Sequence, residues 1–191
     1  MEGVTVIVPA YNEEGGIGPT LEELVKIMAA SELQHEIVVI DDGSTDRTAE
    51  VAGQHAVRLV RHKTNAGYGD ALKTGIRLAR YPLIAITDAD GTYPNDRLAE
   101  LVDVVASQDA DMAVGARTGP EVTIPLIRRP AKWLIGRLAE LAAGRAIPDL
   151  NSGLRVFRRA TAMRMLSILP SGFSFTTTIT LAMLNNGYTV E

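Results

Sequence analysis

Residues 4–9, VTVIVP, form a short, unbroken run of apolar, mostly β-branched residues near the start of the chain. Further runs of this kind follow at residues 36–41 (EIVVID), 56–60 (AVRLV), 82–87 (PLIAIT) and 111–115 (DMAVG). Strands that are buried on both faces of a parallel sheet have such unbroken runs, whereas half-exposed strands alternate apolar and polar residues. We therefore expect these five runs to form strands, most of them parallel.

Segments with helical spacing separate the first four runs. The first predicted helix begins near Pro19, the second and third follow DDGSTDRT and NAGYGDALKTGI, and the fourth follows Pro94. The first and fourth each place an apolar stripe on one face, formed by Leu21, Leu24, Val25 and Met28 and by Leu98, Leu101, Val102 and Val105. This alternation predicts the α/β class, with a Rossmann-like, doubly wound, mostly parallel sheet and helices on both faces.

Composition limits the possible functions. The 191 residues, of which 46% are hydrophobic, can fill one sizeable core, so we expect a single domain over residues 1–191. No apolar run reaches the roughly 18 to 20 residues that span a bilayer, and the N-terminus has no signal-peptide pattern. With no cysteine and three scattered histidines, the chain offers neither thiol chemistry nor a His-rich site. A bound metal would therefore rest on oxygen ligands.

Charge is distributed unevenly along the chain. Between Arg117 and Arg164 there are ten basic and three acidic residues, a net charge of +7, whereas the rest of the chain has nine basic and twenty acidic residues. A basic segment of this kind suits an anionic partner such as a phosphate or a membrane surface. A solvated basic face explains the same count equally well.

Polar residues follow four of the predicted strands at the point where each strand ends. The stretches are PAYNEE at 9–14, DDGS at 41–44, NAGYG at 65–69 and TDADG at 87–91. Because ligands of open parallel sheets bind outside the carboxyl ends of the strands, we expect these stretches to converge. Each alone has an ordinary explanation, since Asp, Asn, Ser and Gly are common in turns and helix caps. Four together, three of them with carboxylates, favour a ligand site.

Asp88 and Asp90 are the most informative of these residues. Two residues apart in an extended segment, their carboxylates project to the same side and can share a hard cation such as Mg²⁺ or Mn²⁺. Such a cation would bridge phosphate oxygens and neutralise a departing diphosphate. The chain has neither a Walker A sequence nor G-x-G-x-x-G, which argues against an NTPase and an ordinary dinucleotide site.

The same stretch also resembles the first motif of haloacid-dehalogenase-type phosphatases, in which the first Asp is the nucleophile and the second the acid/base. In that family the motif usually follows the first strand of the core domain, and a further acidic pair comes later. Here the motif follows the fourth predicted strand, and the pair Asp41 and Asp42 precedes it. The order of the motifs therefore disfavours a phosphatase.

Six stretches, in sequence order, carry a closer resemblance: VIVPAYNEE (6–14), IVVIDDGSTDRT (37–48), NAGYGDALKTGI (65–76), TDADGTYP (87–94), VGAR (114–117) and NSGLRVFRR (151–159). They resemble the inverting family-2 glycosyltransferases of GT-A fold, especially the dolichol-phosphate mannose synthase-like branch, over nearly all of the chain. The resemblance implies transfer of a sugar from a nucleotide diphosphate sugar, of the GDP-mannose or UDP-glucose type, to a polyprenyl or dolichyl phosphate. It also implies inversion and Mg²⁺ or Mn²⁺ as cofactor, with no nucleic acid partner.

The resemblance implies roles for individual residues as well. Asp88 and Asp90 would bind the metal, and Asp42 would lie on the base or ribose side of the nucleotide. The full nucleotide-sugar set would be Pro9, Ala10, Tyr11, Glu13, Asp42, Gly67, Asp88 and Ala89. The acceptor phosphate would be bound by Arg117 and Arg129, with Lys132 and Arg155 as further candidates, and the catalytic residues would be Asp90, Arg117 and Arg129.

Two positions depart from the pattern of the family. Many relatives have a metal-binding Gln two residues beyond the second Asp, where this chain has Thr92; the ligand would then be the Thr hydroxyl or water. Relatives often have an acidic residue near the acceptor, where this chain has Thr176, Thr177 and Thr178. Transfer to a sugar hydroxyl needs a carboxylate as general base, whereas an ionised phosphate acceptor does not. The missing carboxylate therefore favours a lipid phosphate acceptor.

The later part of the chain suggests how the enzyme meets its acceptor. We expect residues 1–115 to form the nucleotide-sugar half and residues 116–191 the acceptor half of a cytoplasmic protein, peripheral at the inner face of the membrane. The stretch RRPAKWLIGRLAELAAG (128–144) has the composition of an interfacial helix, and equally that of a core helix with exposed basic groups. Because the chain stops early in a further predicted strand, we expect a C-terminal truncation. The alternative function is a non-catalytic nucleotide-sugar-binding module.

Overall fold

Strands and helices alternate in the computed structural model, which describes residues 2–108, 110–115 and 152–191. The strands are β1 (Val4–Ala10), β2 (His35–Asp41), β3 (Arg58–Arg61), β4 (Leu83–Ile86), β5 (Met112–Val114) and β6 (Arg155–Arg158). The helices are α1 (Ile17–Ala30), α2 (Thr48–Ala52), α3 (Tyr68–Leu78), α4 (Leu98–Ser107), α5 (Arg159–Met165) and α6 (Phe175–Asn185). A short 3-10 turn, Asn95–Arg97, precedes α4.

The strands of the described ranges form one six-stranded sheet in the order β3-β2-β1-β4-β6-β5. β1 pairs in parallel with β2 on one side and with β4 on the other, and β3 extends the parallel part beside β2. β6 is antiparallel to both of its neighbours, β4 and β5. The predicted α/β class and the mostly parallel, doubly wound sheet are confirmed.

The central strand β1 is buried on both faces, which explains its unbroken apolar sequence. Val6 and Val8 belong to the hydrophobic cluster on one face of the sheet, and Ile7 belongs to the cluster on the other. Helices α1 and α4 cover the first face with Leu21, Leu24, Val102 and Val105. Helices α3 and α6 cover the second with Leu72, Ile76, Phe175 and Ile179. Helices on both faces are thus confirmed.

Two features of the C-terminal part differ from the expectation. β6, with the sequence RVFR, is not among the predicted strands, because arginines flank its two apolar residues. It forms because Val156 enters the first hydrophobic cluster and Phe157 the second, while Arg155 is buried as well. The strand predicted at the end of the chain is reduced to an isolated bridge between Met112 and Val190.

Part of the predicted acceptor half lies outside the described residues. This applies to the basic stretch 128–144 and to residue 116, where the acceptor half is predicted to begin, so the division into two halves stays a prediction. No helix within the described ranges is both long enough and apolar enough to cross a bilayer.

We expect Gly75→Val to destabilise the fold. Gly75 lies on the face of α3 that packs on β1, where a Cβ atom would be 2.6 Å from Ile7 Cγ2. Overpacking a core typically lowers the free energy of unfolding by about 1–3 kcal/mol. Urea unfolding followed by circular dichroism measures the change. Arg77→Val is the matched control, because it places the same residue on the exposed face of α3. Equal destabilisation by both substitutions would contradict this close packing.

Candidate functional site

The carboxyl ends of β1, β2 and β4 open into one cleft of about 420 Å³. Parallel pairing produces it: Ala10 of β1 is in register with Asp41 of β2, so the loops after both strands leave at the same edge. The lining residues are Pro9, Ala10, Tyr11, Glu13, Asp42, Asn65, Gly67, Tyr68, Ala71, Asp88, Ala89, Asp90 and Phe173. The structure therefore brings together every residue that the sequence predicts for nucleotide-sugar and metal binding. That they bind these ligands stays a prediction.

Asp88, just after β4, is held between two neighbours. Its Oδ1 accepts a hydrogen bond of 3.0 Å from the Tyr68 hydroxyl at the start of α3. On its other side, Gly153 approaches so closely that a Cβ atom there would be 2.8 Å from Oδ2. Burial raises the pKa of the Tyr68 hydroxyl, and the charge and hydrogen bond of Asp88 raise it further. The hydrogen bond from the Tyr68 hydroxyl therefore orients Asp88.

Asp90 lies in the tight turn that follows. Gly91 adopts a φ of 71°, and Asp90 Oδ1 accepts hydrogen bonds from Thr92 N (3.0 Å) and Thr92 Oγ1 (2.8 Å). Thr92 occupies the position for which the sequence resemblance implies a metal-binding Gln in other members of the family. Since its hydroxyl proton is directed at Asp90, the side chain orients this carboxylate, and it has only oxygen lone pairs to offer a cation.

Glu13 adds a further carboxylate to the cleft. Its backbone N–H donates to Thr48 Oγ1 at 2.7 Å, which fixes the turn that leads into α1. Burial raises the pKa of the Glu13 carboxyl, and the negative charges of Asp90 and Asp46 raise it further. Like charges gathered in this way disfavour ionisation, and a cation beside them would reverse the effect.

The side chains present suit a hard divalent cation that binds together with a diphosphate. Among the described residues, no group of three or more His, Asp or Glu side chains is arranged to hold a metal ion. Asp88 and Asp90 can therefore supply only part of the roughly six oxygen ligands that such a cation takes. Phosphate oxygens and water would complete its shell.

Asp42 holds the loop between β3 and α3. Its Oδ1 accepts the N–H of Ala66 (3.0 Å) and lies 2.6 Å from His62 Nδ1, and its Oδ2 accepts the N–H of Gly67 (2.8 Å). The other ring nitrogen of His62 lies 3.0 Å from Thr74 Oγ1. The sequence predicts Asp42 beside the base or ribose. The structure places it in the cleft wall with 3% exposure and with both carboxylate oxygens bonded to the protein itself.

The loops that follow β1 and β2 bind each other. Asn12 adopts a φ of 55°, its Oδ1 accepts the N–H of Thr45 (2.9 Å), and its own N–H donates to Ser44 Oγ (2.9 Å). These residues have the structural role that Asn, Ser and Thr commonly take in turns. Tyr11 and Glu13 of the same stretch line the cleft instead. Asn12, Ser44 and Thr45 therefore have the ordinary role of turn residues, whereas Tyr11 and Glu13 lie where a ligand site is predicted.

Arg155 is placed differently from the prediction. The sequence includes it among the candidates for the acceptor phosphate, but it is 0% exposed. Its guanidinium donates hydrogen bonds to Ser152 O, to Thr176 O (2.9 Å) and to Thr180 Oγ1 (3.0 Å). These bonds stabilise a buried cation and join β6 to α6. The structure thus corrects the assignment, and Arg155 has a structural role.

The structure describes only some of the other residues that are predicted on the acceptor side. Thr176 is buried at the start of α6, and Thr177 and Thr178 are half-buried. The predicted acceptor residues Arg117, Arg129 and Lys132 lie outside the described residues, so their roles stay predictions.

Sequence reasoning missed two aromatic residues that line the cleft, Tyr68 and Phe173. Their rings stack, with centroids 5.3 Å apart and an interplanar angle of 23°. The sequence signals for these two residues were weak. Tyr68 lies between two glycines in NAGYG, and Phe173 in GFSF is not part of an apolar stripe with helical spacing.

We expect Tyr68→Phe to weaken the Mn²⁺-dependent binding of a nucleoside diphosphate. The substitution removes the donor to Asp88 but keeps the ring. Losing a group that orients a metal-binding carboxylate typically lowers metal affinity about 10- to 100-fold. Calorimetric titration with UDP and GDP in the presence of Mn²⁺ measures the change. Tyr81→Phe, at the opposite end of β4, is the control, and unchanged affinity in Tyr68→Phe would contradict an orienting role.

Comparisons with known proteins agree with this geometry. Residues 5–166 match the family described as Glycosyl transferase family 2. An uncharacterized protein of Methanocaldococcus jannaschii is 38% identical over 88% of this chain and 70% of its own length. A protein of Haloferax volcanii named dolichyl-phosphate hexose transferase is 31% identical over 83% of this chain and 67% of its own length. The chain therefore spans about two thirds of the length of these relatives.

Solved structures share the fold. Glucosyl-3-phosphoglycerate synthase from Mycobacterium tuberculosis, in complex with Mn²⁺, UDP-glucose and phosphoglyceric acid, aligns with a TM-score of 0.76 at 20% identity. The alignment covers 97% of this chain and 66% of that one. Together with the family match, this fold decides against the phosphatase alternative. The chain therefore belongs to glycosyl transferase family 2, and it is a glycosyltransferase with the GT-A fold.

Proposed function

We propose that this chain is the catalytic domain of an enzyme that transfers a sugar from a nucleoside diphosphate sugar to a polyprenyl or dolichyl phosphate. The observation that carries the proposal is the convergence of Asp88, Asp90 and the turn after β1 on one cleft at the carboxyl edge of the sheet. Its volume of about 420 Å³ is in the range of small-molecule sites. Two carboxylates oriented by neighbouring hydroxyls are what a diphosphate with its cation requires.

On the donor side, the proposal concerns the leaving group. A divalent cation held by Asp88 and Asp90 would supply the positive charge that a departing nucleoside diphosphate needs. Tyr68 and Thr92 hold the two carboxylates in orientation through their hydroxyls. We infer Mg²⁺ or Mn²⁺, and the solved glucosyl-3-phosphoglycerate synthase complex, which contains Mn²⁺ and UDP-glucose, supports this choice.

On the acceptor side, an ionised phosphate oxygen is the proposed nucleophile. It attacks the anomeric carbon from the side opposite the diphosphate, and the bond to the diphosphate oxygen breaks as the new C–O bond forms. A single displacement of this kind inverts the anomeric configuration. Because the attacking oxygen is already ionised at neutral pH, no carboxylate has to remove a proton. The threonines at 176–178, where relatives often carry an acidic residue, are consistent with such an acceptor.

A lipid acceptor is supported by a relative and by charge. The Haloferax volcanii relative is named dolichyl-phosphate hexose transferase. The segment from Arg117 to Arg164 has a net charge of +7, and the excess of basic residues that remains without the buried Arg155 suits anionic phosphate at a membrane surface. We propose that Arg117 and Arg129, with Lys132, bind the acceptor phosphate, since one guanidinium can donate two parallel hydrogen bonds to two phosphate oxygens. The protein would then work peripherally on the cytoplasmic face of a membrane.

A transfer assay tests the proposed function directly. The chain is incubated with Mn²⁺, a polyprenyl phosphate, and GDP-mannose, UDP-glucose or UDP-N-acetylglucosamine in turn. We expect one donor to yield a glycosyl phosphate lipid whose anomeric configuration is opposite to that of the donor. Tight nucleotide binding without any lipid product would contradict the proposed transfer to a lipid phosphate.

Asp90→Ala should abolish the metal-dependent part of nucleotide binding while leaving the fold largely intact, because it removes an exposed carboxylate in a turn. Thermal shift and calorimetry with UDP and GDP, with and without Mn²⁺, measure both effects. Asp103→Ala, an exposed carboxylate on α4, is the matched control. If metal-dependent affinity survives in Asp90→Ala, the metal assignment is wrong.

Arg117→Ala and Arg129→Ala should each reduce transfer to polyprenyl phosphate severely while leaving nucleotide-sugar binding nearly unchanged. A charge-assisted contact contributes about 1.5–3 kcal/mol, or roughly one to two decades in rate if it acts in the transition state. Steady-state transfer and calorimetry measure the two effects, with Arg164→Ala as the control for loss of one positive charge. Equal loss of nucleotide binding would mean that these arginines bind the donor. Unimpaired transfer would mean that they belong only to a solvent-exposed basic surface.

A further inference from the structure

Phe173 is the most exposed large hydrophobic residue within the described ranges, at 84% exposure. It lies in the loop between α5 and α6 and lines the same cleft as Asp88 and Asp90. Single exposed hydrophobic residues are common on protein surfaces. This one differs because the surrounding contacts hold it at the wall of the cleft that also contains Asp88 and Asp90.

The loop that carries Phe173 is bonded to the start of α3. Ser171 O accepts the N–H groups of Gly69 (2.7 Å) and Asp70 (3.3 Å). The approach is so close that a Cβ atom on Gly69 would lie 2.1 Å from Pro170 O. These contacts bring the Phe173 ring onto the ring of Tyr68, where they stack with centroids 5.3 Å apart. The position of Phe173 is therefore fixed by backbone bonds and by a ring contact.

The same loop uses its second phenylalanine differently. Phe175 is fully buried at the start of α6, in the hydrophobic cluster of that face. One ring thus anchors the loop in the core, while the other faces the cleft. Tyr68 contacts both Phe173 and Asp88, since its ring stacks on the first and its hydroxyl donates to the second. The Tyr68 side chain therefore links Phe173 directly to Asp88, one of the two carboxylates proposed to hold the cation.

We propose that Phe173 binds the isoprene units next to the phosphate of the acceptor and so contributes to the selection of a lipid phosphate. This inference rests on the proposed function and adds a residue to its acceptor site. Of the two substrates, only the acceptor has a hydrocarbon chain attached directly to a reacting phosphate, and an exposed phenylalanine ring in the same cleft as Asp88 and Asp90 suits such a chain. Packing hydrocarbon on the ring would remove apolar surface of both from water. The nucleoside would lie instead near Tyr11 and Asp42, on the loops that follow β1 and β2.

Steady-state kinetics with farnesyl phosphate as the acceptor test the proposal. We expect Phe173→Ala to raise the KM for farnesyl phosphate about tenfold, with the KM for the nucleotide sugar unchanged, because less apolar surface is buried on binding. Phe173→Leu keeps much of the apolar surface and should restore most of the affinity. Ile168→Ala is the matched control, since Ile168 is 62% exposed and does not line the cleft. It should leave both KM values unchanged.

The outcomes separate this inference from the proposed function. Unchanged KM values in Phe173→Ala, or an equal rise in KM for the nucleotide sugar, would overturn the role of Phe173 while transfer by the wild-type chain still supported the function. Calorimetric titration with farnesyl phosphate and with inorganic phosphate provides a readout that needs no turnover. Weaker binding of farnesyl phosphate alone in Phe173→Ala would support the inference even if the wild-type chain transferred no sugar. Equal weakening for both ligands would contradict it.

Discussion

The parallel pairing of β1 with β2 and β4 determines where the cleft lies. Val6 of β1 is in register with Ile37 on one side and with Ala85 on the other, so all three strands end at the same edge of the sheet. The loops that leave this edge carry the cleft residues. Buried side chains of β1, such as Val6 and Val8, lie in the core and do not line the cleft, yet they hold the strands whose ends form the site.

The charge of the cleft follows from this convergence. Four acidic residues, Glu13, Asp42, Asp88 and Asp90, line it from three strand ends. Burial raises the pKa of the Glu13 carboxyl, and the negative charges of Asp90 and Asp46 raise it further. Hydroxyl donors orient two of these carboxylates without neutralising them. An arrangement that is unfavourable for the protein alone is suited to a divalent cation carrying a polyanionic ligand. The negative charge of the cleft is therefore consistent with the proposed binding of a divalent cation together with a diphosphate.

Local patterns in the sequence predicted much of the fold. The five apolar runs all form strands, and burial explains the unbroken apolar sequences of β1, β2 and β4, whereas β3 is a partly exposed edge strand. Strand order in an α/β sheet places the polar ends of the parallel strands together. The assignment of Arg155 to the acceptor phosphate was wrong because its hydrogen-bond partners Thr176 and Thr180 lie on α6, 21 and 25 residues later in the chain. The Tyr68–Asp88 bond and the exposure of Phe173 depend in the same way on pairings between elements. Such pairings leave no periodic signal in a single sequence.

Electron paramagnetic resonance of Mn²⁺ titrated into the chain, with and without UDP or GDP, tests most directly whether this cleft holds a cation jointly with a diphosphate. Because the described residues offer no cluster of three or more acidic or histidine ligands, we expect weak binding of Mn²⁺ alone. Addition of the nucleotide should tighten that binding about tenfold or more, and ³¹P hyperfine coupling should appear in the spectrum of the bound ion. Equal Mn²⁺ affinity in the presence and absence of the nucleotide, without ³¹P coupling, would contradict the joint site.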